Sequence, residues 1–563
     1  MDSSAPRQDR IRSFLSQFTP KSVLAFRSYK LSDFPRDLLA GVTVGLVAVP
    51  LAIAFAIASG VPPQAGLVTA IIAGFLVSAL GGSKMQIAGP TGAFVVVVSG
   101  IIAKHGLEGL FTCTLLSGIF LILLGLTGLG SAVRYIPRPV VIGFTNGIAV
   151  LIASTQLRDF FGLEIAKVPS EFWDRMAALA GHASTINPLN TGVAAGSLLV
   201  LIAVRKWLPK IPGAILVMIG VTALVAGLRL PLETVVSRYG PVPSSLPPLH
   251  VPALRFDLML PLMSAALTVT MLGAIESLLS AVVADRMSGD KHNPGVELVA
   301  QGVANVVSPL WGGLPATGAI ARTATNIRSG AVSPLSGMIH AIVVLLVVLF
   351  AAPLAGQIPL AALAAILIMV SYNMGEWAEI PTILKLGKAD IAVWLITFFL
   401  TVFADLTVAV QAGMILAALL FIRRVATTTT VSRVTPEYVE SSRKHSLQLH
   451  EIPDQVAVYR VSGPLLFGST EKIEAIREDL ASLPPVVVLR LRNMTALDGT
   501  GLHSIEELAE ALHASGRTLI LCGMRSQPRA LMDKAGITAR LGPENVCADV
   551  SHAMDRAREI LAQ

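Results

Sequence analysis

Two glycine- and proline-bearing breaks interrupt apolar runs of this chain, and they carry closely similar residues. The first, AGPTGAF, spans Ala88 to Phe94 and follows Gly81 and Gly82; the second, LPATGAIART, spans Leu314 to Thr323 and follows Gly312 and Gly313. In hydrocarbon, irregular backbone persists only where protein or a water-filled cavity satisfies its polar groups, so such breaks point to a cavity. A half-helix starting near Thr91 and another starting near Ala319 would aim unpaired N–H groups and positive dipole ends at one midplane point, which favours an anion. Arg322, just past the second break, adds a full positive charge. The competing account is that the glycines serve close helix packing and that Arg322 snorkels to the interface.

Glu276 is the other costly residue. It stands alone in MLGAIESLLSAVVAD, with 18 uncharged residues before it back to Leu258. An acid at that depth is a functional candidate. It could bind and release a proton, ligate a sodium ion together with Ser280 one helical turn on, or form a salt bridge with Arg322 that locks two halves of the protein together. Asp285 and Arg286 close the same helix and read as loop charges, and Asp405 reads as a helix-end residue. No HExxH, GxSxG or GxxxxGK[ST] pattern occurs, and Cys113, Cys522 and Cys547 lack metal-binding spacing. No enzyme, ATP-driven machine, cofactor or metal site is therefore expected.

The elements that must position these residues follow from charge and hydropathy. Of 563 residues 53% are hydrophobic and only 14% charged, which argues against a soluble enzyme. Residues 423 to 563 hold 17 basic and 17 acidic residues, so the net charge of +7 sits on the long apolar part, and nucleic-acid binding is not the reading of that charge. Leu38 to Ser83 and Ser329 to Gly375 are uncharged and each long enough for two crossings. Further apolar runs lie near 85–103, 109–133, 139–157, 191–208, 211–228, 258–283, 299–321, 391–404 and 406–422. Basic clusters at the N-terminal arm, Arg134 with Arg138, Arg205 with Lys206 and Lys210, Lys385 with Lys388, and Arg423 with Arg424 place both termini in the cytoplasm. An even number of crossings follows, and 14 is expected. The organisation reads as a cytoplasmic arm at 1–36, a transmembrane domain at 37–424, a linker at 425–435 and a small cytoplasmic α/β domain at 436–563, with strands near Val456 to Val461, Val486 to Leu491 and Arg517 to Cys522 and helices at Ser504 to Ala514 and Ser551 to Leu561.

On VPLAIAFAIASGVPPQAGL (Val49 to Leu67), AGPTGAF, PRPVVIGFTNGIAVLIASTQL (Pro137 to Leu157) and ELVAQGVANVVSPLWGGLPATGAIARTATNIRSGAVSPLSG (Glu297 to Gly337), the chain resembles bacterial sulfate permease (SulP) anion transporters with a C-terminal STAS domain. The resemblance implies 14 transmembrane segments in two inverted repeats of seven, a core that carries the site, a gate, a homodimer, and a multi-pass protein of the bacterial inner membrane. Carried over residue by residue, it implies a site of Ala54, Phe55 and Ala56 in segment 1, Thr91, Gly92, Ala93 and Phe94 in segment 3, Glu276 and Ser280 in segment 8, and Gly318, Ala319, Ile320, Ala321 and Arg322 in segment 10. Sodium-coupled bicarbonate members have Asp, Thr and Thr where this chain has Glu276, Ser280 and Ile320; the departures favour proton coupling over sodium. The STAS part resembles anti-sigma-factor antagonists, which implies a regulatory hydroxyl at Thr500 open to phosphorylation and a protein or nucleotide partner; the plainer alternative is that Thr500 caps its helix.

The expectation is thus a secondary active symporter of a small anion (sulfate, bicarbonate or C4-dicarboxylate) with a proton, by alternating access. An uncoupled exchanger or channel, a sodium-coupled bicarbonate symporter, and a membrane anchor for the STAS domain are the alternatives.

Overall fold

The computed structural model describes residues 19–128, 137–165, 168–169, 171–208, 212–249, 256–404, 406–434 and 452–563. Asp405, Arg134, Lys210 and the basic residues before position 19 lie outside that set. The chain divides into two compact units, Met1–Met414 and Ile415–Gln563.

The first unit is built of helices whose ends obey local rules. Prolines at the first positions start α1 (Phe34–Ala58), α2 (Pro63–Leu80), α4 (Arg138–Phe161), α5 (Pro188–Trp207) and α8 (Pro294–Val307), where a missing N–H costs nothing. Asn187 and Asn293 cap α5 and α8 by accepting from two backbone N–H groups each. Besides short surface helices such as Phe172–Gly181, the unit also contains α3 (Gly92–Leu126), α6 (Gly213–Gly227), α7 (Phe256–Ser288), α9 (Ile320–Arg328), α10 (Leu335–Gly356), α11 (Leu360–Met374), α12 (Lys388–Phe403) and α13 (Leu406–Thr428), the last running on into the second unit. α3 is two helices in one: Gly106, at φ 69°, bends it in a conformation that suits glycine. Among the described residues nine helices are long and apolar enough to cross a membrane; counting the two limbs of α3 separately and adding the shorter α6, α8, α9 and α12 makes fourteen segments.

The two sets of seven have the same plan. The third segment of each, the first limb of α3 and then α9, begins just after a two-residue strand, β1 (Ala88–Gly89) or β2 (Thr317–Gly318). These strands pair antiparallel, Ala88 opposite Gly318 and Gly89 opposite Thr317. An antiparallel pair has a local two-fold axis, so the two breaks meet as related halves. Around them α1 packs on α10 as α7 packs on α3, and α2 packs on α10 as α8 packs on α3. The apolar run at 299–321 is broken where its Gly and Pro residues fall: α8 stops at Val307, a 3-10 turn covers Ser308–Trp311, and β2 and α9 come after it.

Small residues let these helices approach closely. A Cβ on Gly302 of α8 would lie 2.5 Å from the Gly118 carbonyl oxygen of α3, and one on Gly118 would lie 2.8 Å from that of Gly302. Gly302→Val is therefore expected to lower stability by about 1–3 kcal/mol through overpacking. A downward shift in thermal melting of the detergent-solubilised protein measures it, and an unchanged melting temperature would remove the contact from the account.

The second unit carries a five-stranded sheet in the order β3 (Thr430–Arg433), β4 (Val456–Leu465), β5 (Val486–Leu497), β6 (Thr518–Cys522), β7 (Val546–Cys547); β3 is antiparallel to β4 and the remainder are parallel. Strand alternation sends Val487, Leu489 and Leu491 to a core shared with Ile473, Ile505 and Leu508, and Val486 and Val488 to a core shared with Ala553 and Met554 of the last helix. The described part of the expected linker, 425–434, holds the end of α13 and the edge strand β3. In α14 (Gly499–Ala514) the helix cap is Asp498 and not Thr500: its carboxylate accepts from the Gly501 N–H at 2.8 Å and the Phe467 N–H at 3.0 Å. Thr500 is exposed in the first turn.

Candidate functional site

The breaks are held in place by buried hydroxyl and amide groups. Asn305 exchanges two hydrogen bonds with the Ala316 backbone, the Gly318 N–H donates to Ser277 Oγ at 3.1 Å, and Thr317 Oγ1 lies 2.8 Å from Ser277 Oγ. Thr323 Oγ1 accepts from the Ile87 N–H at 3.0 Å and lies 3.0 Å from Ser280 Oγ. Every one of these side chains replaces a backbone partner that a broken helix has lost. Ser280 is consequently spent on joining α7 to the second break; it is fully buried, and its hydroxyl is not brought to Glu276.

Above the paired strands lies a cavity of about 410 Å³. Phe55 of α1, Thr91 and Gly92 at the start of α3, Glu276 of α7, and Gly318, Ala319, Ile320, Ala321 and Arg322 at the second break form one side of it. Neither α3 nor α9 has a side-chain cap at its N-terminus, so the leading N–H groups of both face this region without a competing side-chain acceptor. Thr91 Oγ1 donates to Glu276 Oε2 at 3.0 Å, tying the acid of α7 to the start of α3. Arg322, only 3% exposed, donates through Nη2 to the Pro90 carbonyl, while its Nη1 has no acceptor among the described residues. The arginine thus belongs to α9 yet grips the first break, and it forms no ion pair with Glu276 among the described residues. Gly89, at φ 155°, leaves room for it: a Cβ there would lie 2.5 Å from Nη1.

Ala54, Ala56, Ala93 and Phe94 are packed in the core behind this wall and do not line the cavity. The opposite wall comes from residues that chemistry-first reading passed over: Val140, Phe144 and Thr145 of α4, and Asn373 and Met374 of α11, followed by Glu376. The α4 residues fall inside PRPVVIGFTNG, yet two aliphatic or aromatic side chains and one threonine announce no chemistry. The result is a pocket between two groups of helices, with positive helix ends and a guanidinium on one side and mainly apolar surface on the other. Such a pocket holds a small anion by backbone donors and charge rather than by a shell of polar side chains.

Known proteins resemble this chain in sequence and in fold. Residues 34–397 match the Sulfate permease family and residues 448–553 the STAS domain. The chain belongs to the sulfate permease family. It is 41% identical to the putative sulfate transporter YvdB of Bacillus subtilis over 92% of this chain and 97% of that protein, and 32% identical to the bicarbonate transporter BicA of a Synechocystis strain over 91% and 92%. A solved structure of SLC26A9 superposes with a TM-score of 0.87 across 99% of this chain and 95% of the other at 17% identity, a likeness of fold alone. As a sulfate permease family member the protein is a multi-pass anion transporter and not an enzyme.

Within this family member, Glu376 is the one carboxylate besides Glu276 that lines the cavity among the described residues. An exposed negative charge at the rim opposes an arriving anion by a screened interaction worth a few tenths to 1 kcal/mol. Glu376→Gln is expected to lower KM for a divalent anion by roughly two- to fivefold, with the effect shrinking at high ionic strength. Uptake kinetics at two salt concentrations test this; an unchanged or higher KM would dismiss the rim charge.

Proposed function

We propose that the protein is a secondary active symporter that carries a small anion together with a proton across the bacterial inner membrane by alternating access. The observation that carries the reading is that a titratable acid, Glu276, shares one cavity with the uncapped starts of α3 and α9 and with Arg322. The anion is held by the helix N-termini and the guanidinium, and Glu276 takes the proton while bonded to the Thr91 hydroxyl, which can donate to the ionised acid and accept from the neutral one. Alternating access consists of the helices that carry the breaks moving against α4 and α11, which form the far wall. Ser280 is engaged with Thr323, so a carboxyl and one hydroxyl stand together, a pair that suits a proton better than a sodium ion needing a ring of oxygens.

The substrate class is sulfate, bicarbonate or a C4-dicarboxylate; relatives named for sulfate and for bicarbonate support the first two. Both termini lie in the cytoplasm, the working unit is a homodimer, and exposed Thr500 of the STAS domain is its regulatory hydroxyl, available to a kinase or a nucleotide-dependent partner. Uptake of labelled sulfate, bicarbonate and fumarate into proteoliposomes, with and without an inward proton gradient and with a sodium gradient as the matched control, tests the reading. Accumulation of one anion driven by the proton gradient supports it. Equal uptake under all gradients would instead favour an exchanger or channel.

A further inference from the structure

On the outer side of α11, away from the anion cavity, a groove of about 520 Å³ runs between this helix and α5. Leu198 and Ile202 of α5 and Ile368 and Met369 of α11 make it aliphatic along its length. Arg205, Lys206 and Tyr372 also line it, the two cations in the last turn of α5 and the tyrosine near the C-terminal end of α11. Around it α5 presents apolar side chains outward, with Leu199 66% and Trp207 71% exposed, as a helix facing hydrocarbon does. Trp207 and Tyr372 stand close in sequence or space to the two cations, and such aromatic side chains belong at headgroup level. Among the described residues no acidic one lines the groove. Lys206 has no ion pair among the described residues, and Arg205 spends one N–H on Asn373 Oδ1 and stacks 6.0 Å from the Tyr372 ring, keeping further donors open.

An aliphatic trough ending in two cations is complementary to an amphiphile with an anionic head. We propose that a phospholipid with a net negative headgroup binds between α5 and α11, its phosphate on Arg205 and Lys206 and an acyl chain along the groove, and that it regulates the anion cavity. The coupling route is short. α11 lines the groove with Ile368, Met369 and Tyr372 and lines the cavity with Val370, Asn373 and Met374, and the Arg205 bond to Asn373 Oδ1 joins the two sides. A headgroup phosphate competes for the Arg205 fork and releases Asn373 Oδ1, which frees the amide to turn its NH2 toward an anion, so anionic lipid raises uptake. This second clause rests on the cavity being the anion's path; the lipid site itself does not.

Binding is read by native mass spectrometry of the full-length protein released from detergent with phosphatidylglycerol or phosphatidylcholine. Two cations near a charged headgroup give a preference for phosphatidylglycerol of roughly thirtyfold, the fold-change equal to about 1 kcal/mol for each. Lys206→Gln, which removes no side-chain hydrogen bond or ion pair seen among the described residues, should cut that preference roughly fivefold, and Arg205→Gln with Lys206→Gln should abolish it. Inorganic phosphate at matched concentration should fail to displace the lipid. Equal retention of both lipids by the wild type, undiminished preference in the double variant, or displacement by inorganic phosphate would each overturn the site. So would an Ile202→Cys variant that crosslinks to a second copy in the membrane, since the groove would then be a protein interface. For the regulatory clause, uptake in vesicles with phosphatidylglycerol should exceed that in phosphatidylcholine alone, and the ratio should fall to one in the double variant; a ratio that survives there refutes the coupling. If uptake fails to respond to a proton gradient while lipid preference persists, the symport reading falls and the lipid site stands.

Discussion

Arg322→Gln is expected to raise KM for the transported anion by about a hundredfold while leaving the protein folded and in the membrane. A unit charge roughly 5–6 Å from an anion, at an effective dielectric near 20, is worth about 3 kcal/mol, and about 1.4 kcal/mol is tenfold in affinity. The loss is large because, among the described residues, the other positive contributors to the cavity are the helix starts at Gly92 and Ile320, which are partial charges. Arg322→Lys should fall between the two proteins, since it keeps the charge but cannot both bond the Pro90 carbonyl and keep a second, forked donor free. Concentration-dependent uptake, with size-exclusion profiles confirming fold, separates a binding role from a structural one. A lower maximal rate at unchanged KM would mean that Arg322 serves only to clamp the two breaks together.

The second large effect is expected at Glu276. Glu276→Gln copies the shape and neutrality of the protonated acid, and its amide oxygen still accepts from Thr91 Oγ1. The variant should therefore lose accumulation driven by a proton gradient entirely, down to the level seen with no gradient, while exchange of internal for external anion persists within about threefold. Its residual rate should also stop depending on pH across the neutral range, because the group that titrates during the cycle is gone. Measuring gradient-driven uptake and counterflow on the same vesicles checks both halves. Gradient-driven uptake equal to that of the wild type would demote Glu276 to a structural residue tied to the start of α3.

Much of the site was legible because membrane physics leaves few interpretations. A Gly/Pro break in an apolar run, a lone acid and a lone arginine are each costly in hydrocarbon, and all three converge on the cavity wall. The pairing of Glu276 with Ser280 was not legible as it stands. One helical turn places two side chains on a shared face, but that face is wide enough for Glu276 to meet Thr91 while Ser280 meets Thr323. The interruption of the run at 299–321, by contrast, was announced by its Gly312–Gly313 pair and Pro315, and β2 lies inside the break they mark. Asp498 displaced Thr500 as the cap because the aspartate also reaches Phe467, 31 residues earlier, a contact made only by the folded sheet.

By itself the sequence determined that this is a membrane protein of two related halves with a soluble α/β domain, where its backbone must break, and which charges are too costly to be incidental, because hydropathy, proline and glycine act locally and apply before any tertiary contact forms. Only the tertiary structure decided that β1 and β2 pair, that Arg322 reaches from the second break to the first, and that α4 and α11 close the cavity with Phe144, Asn373 and Glu376. Those contacts join positions more than two hundred residues apart in several cases, and which apolar helix face meets which is settled by the fit of small residues such as Gly118 and Gly302, a property of pairs of surfaces that no single segment carries.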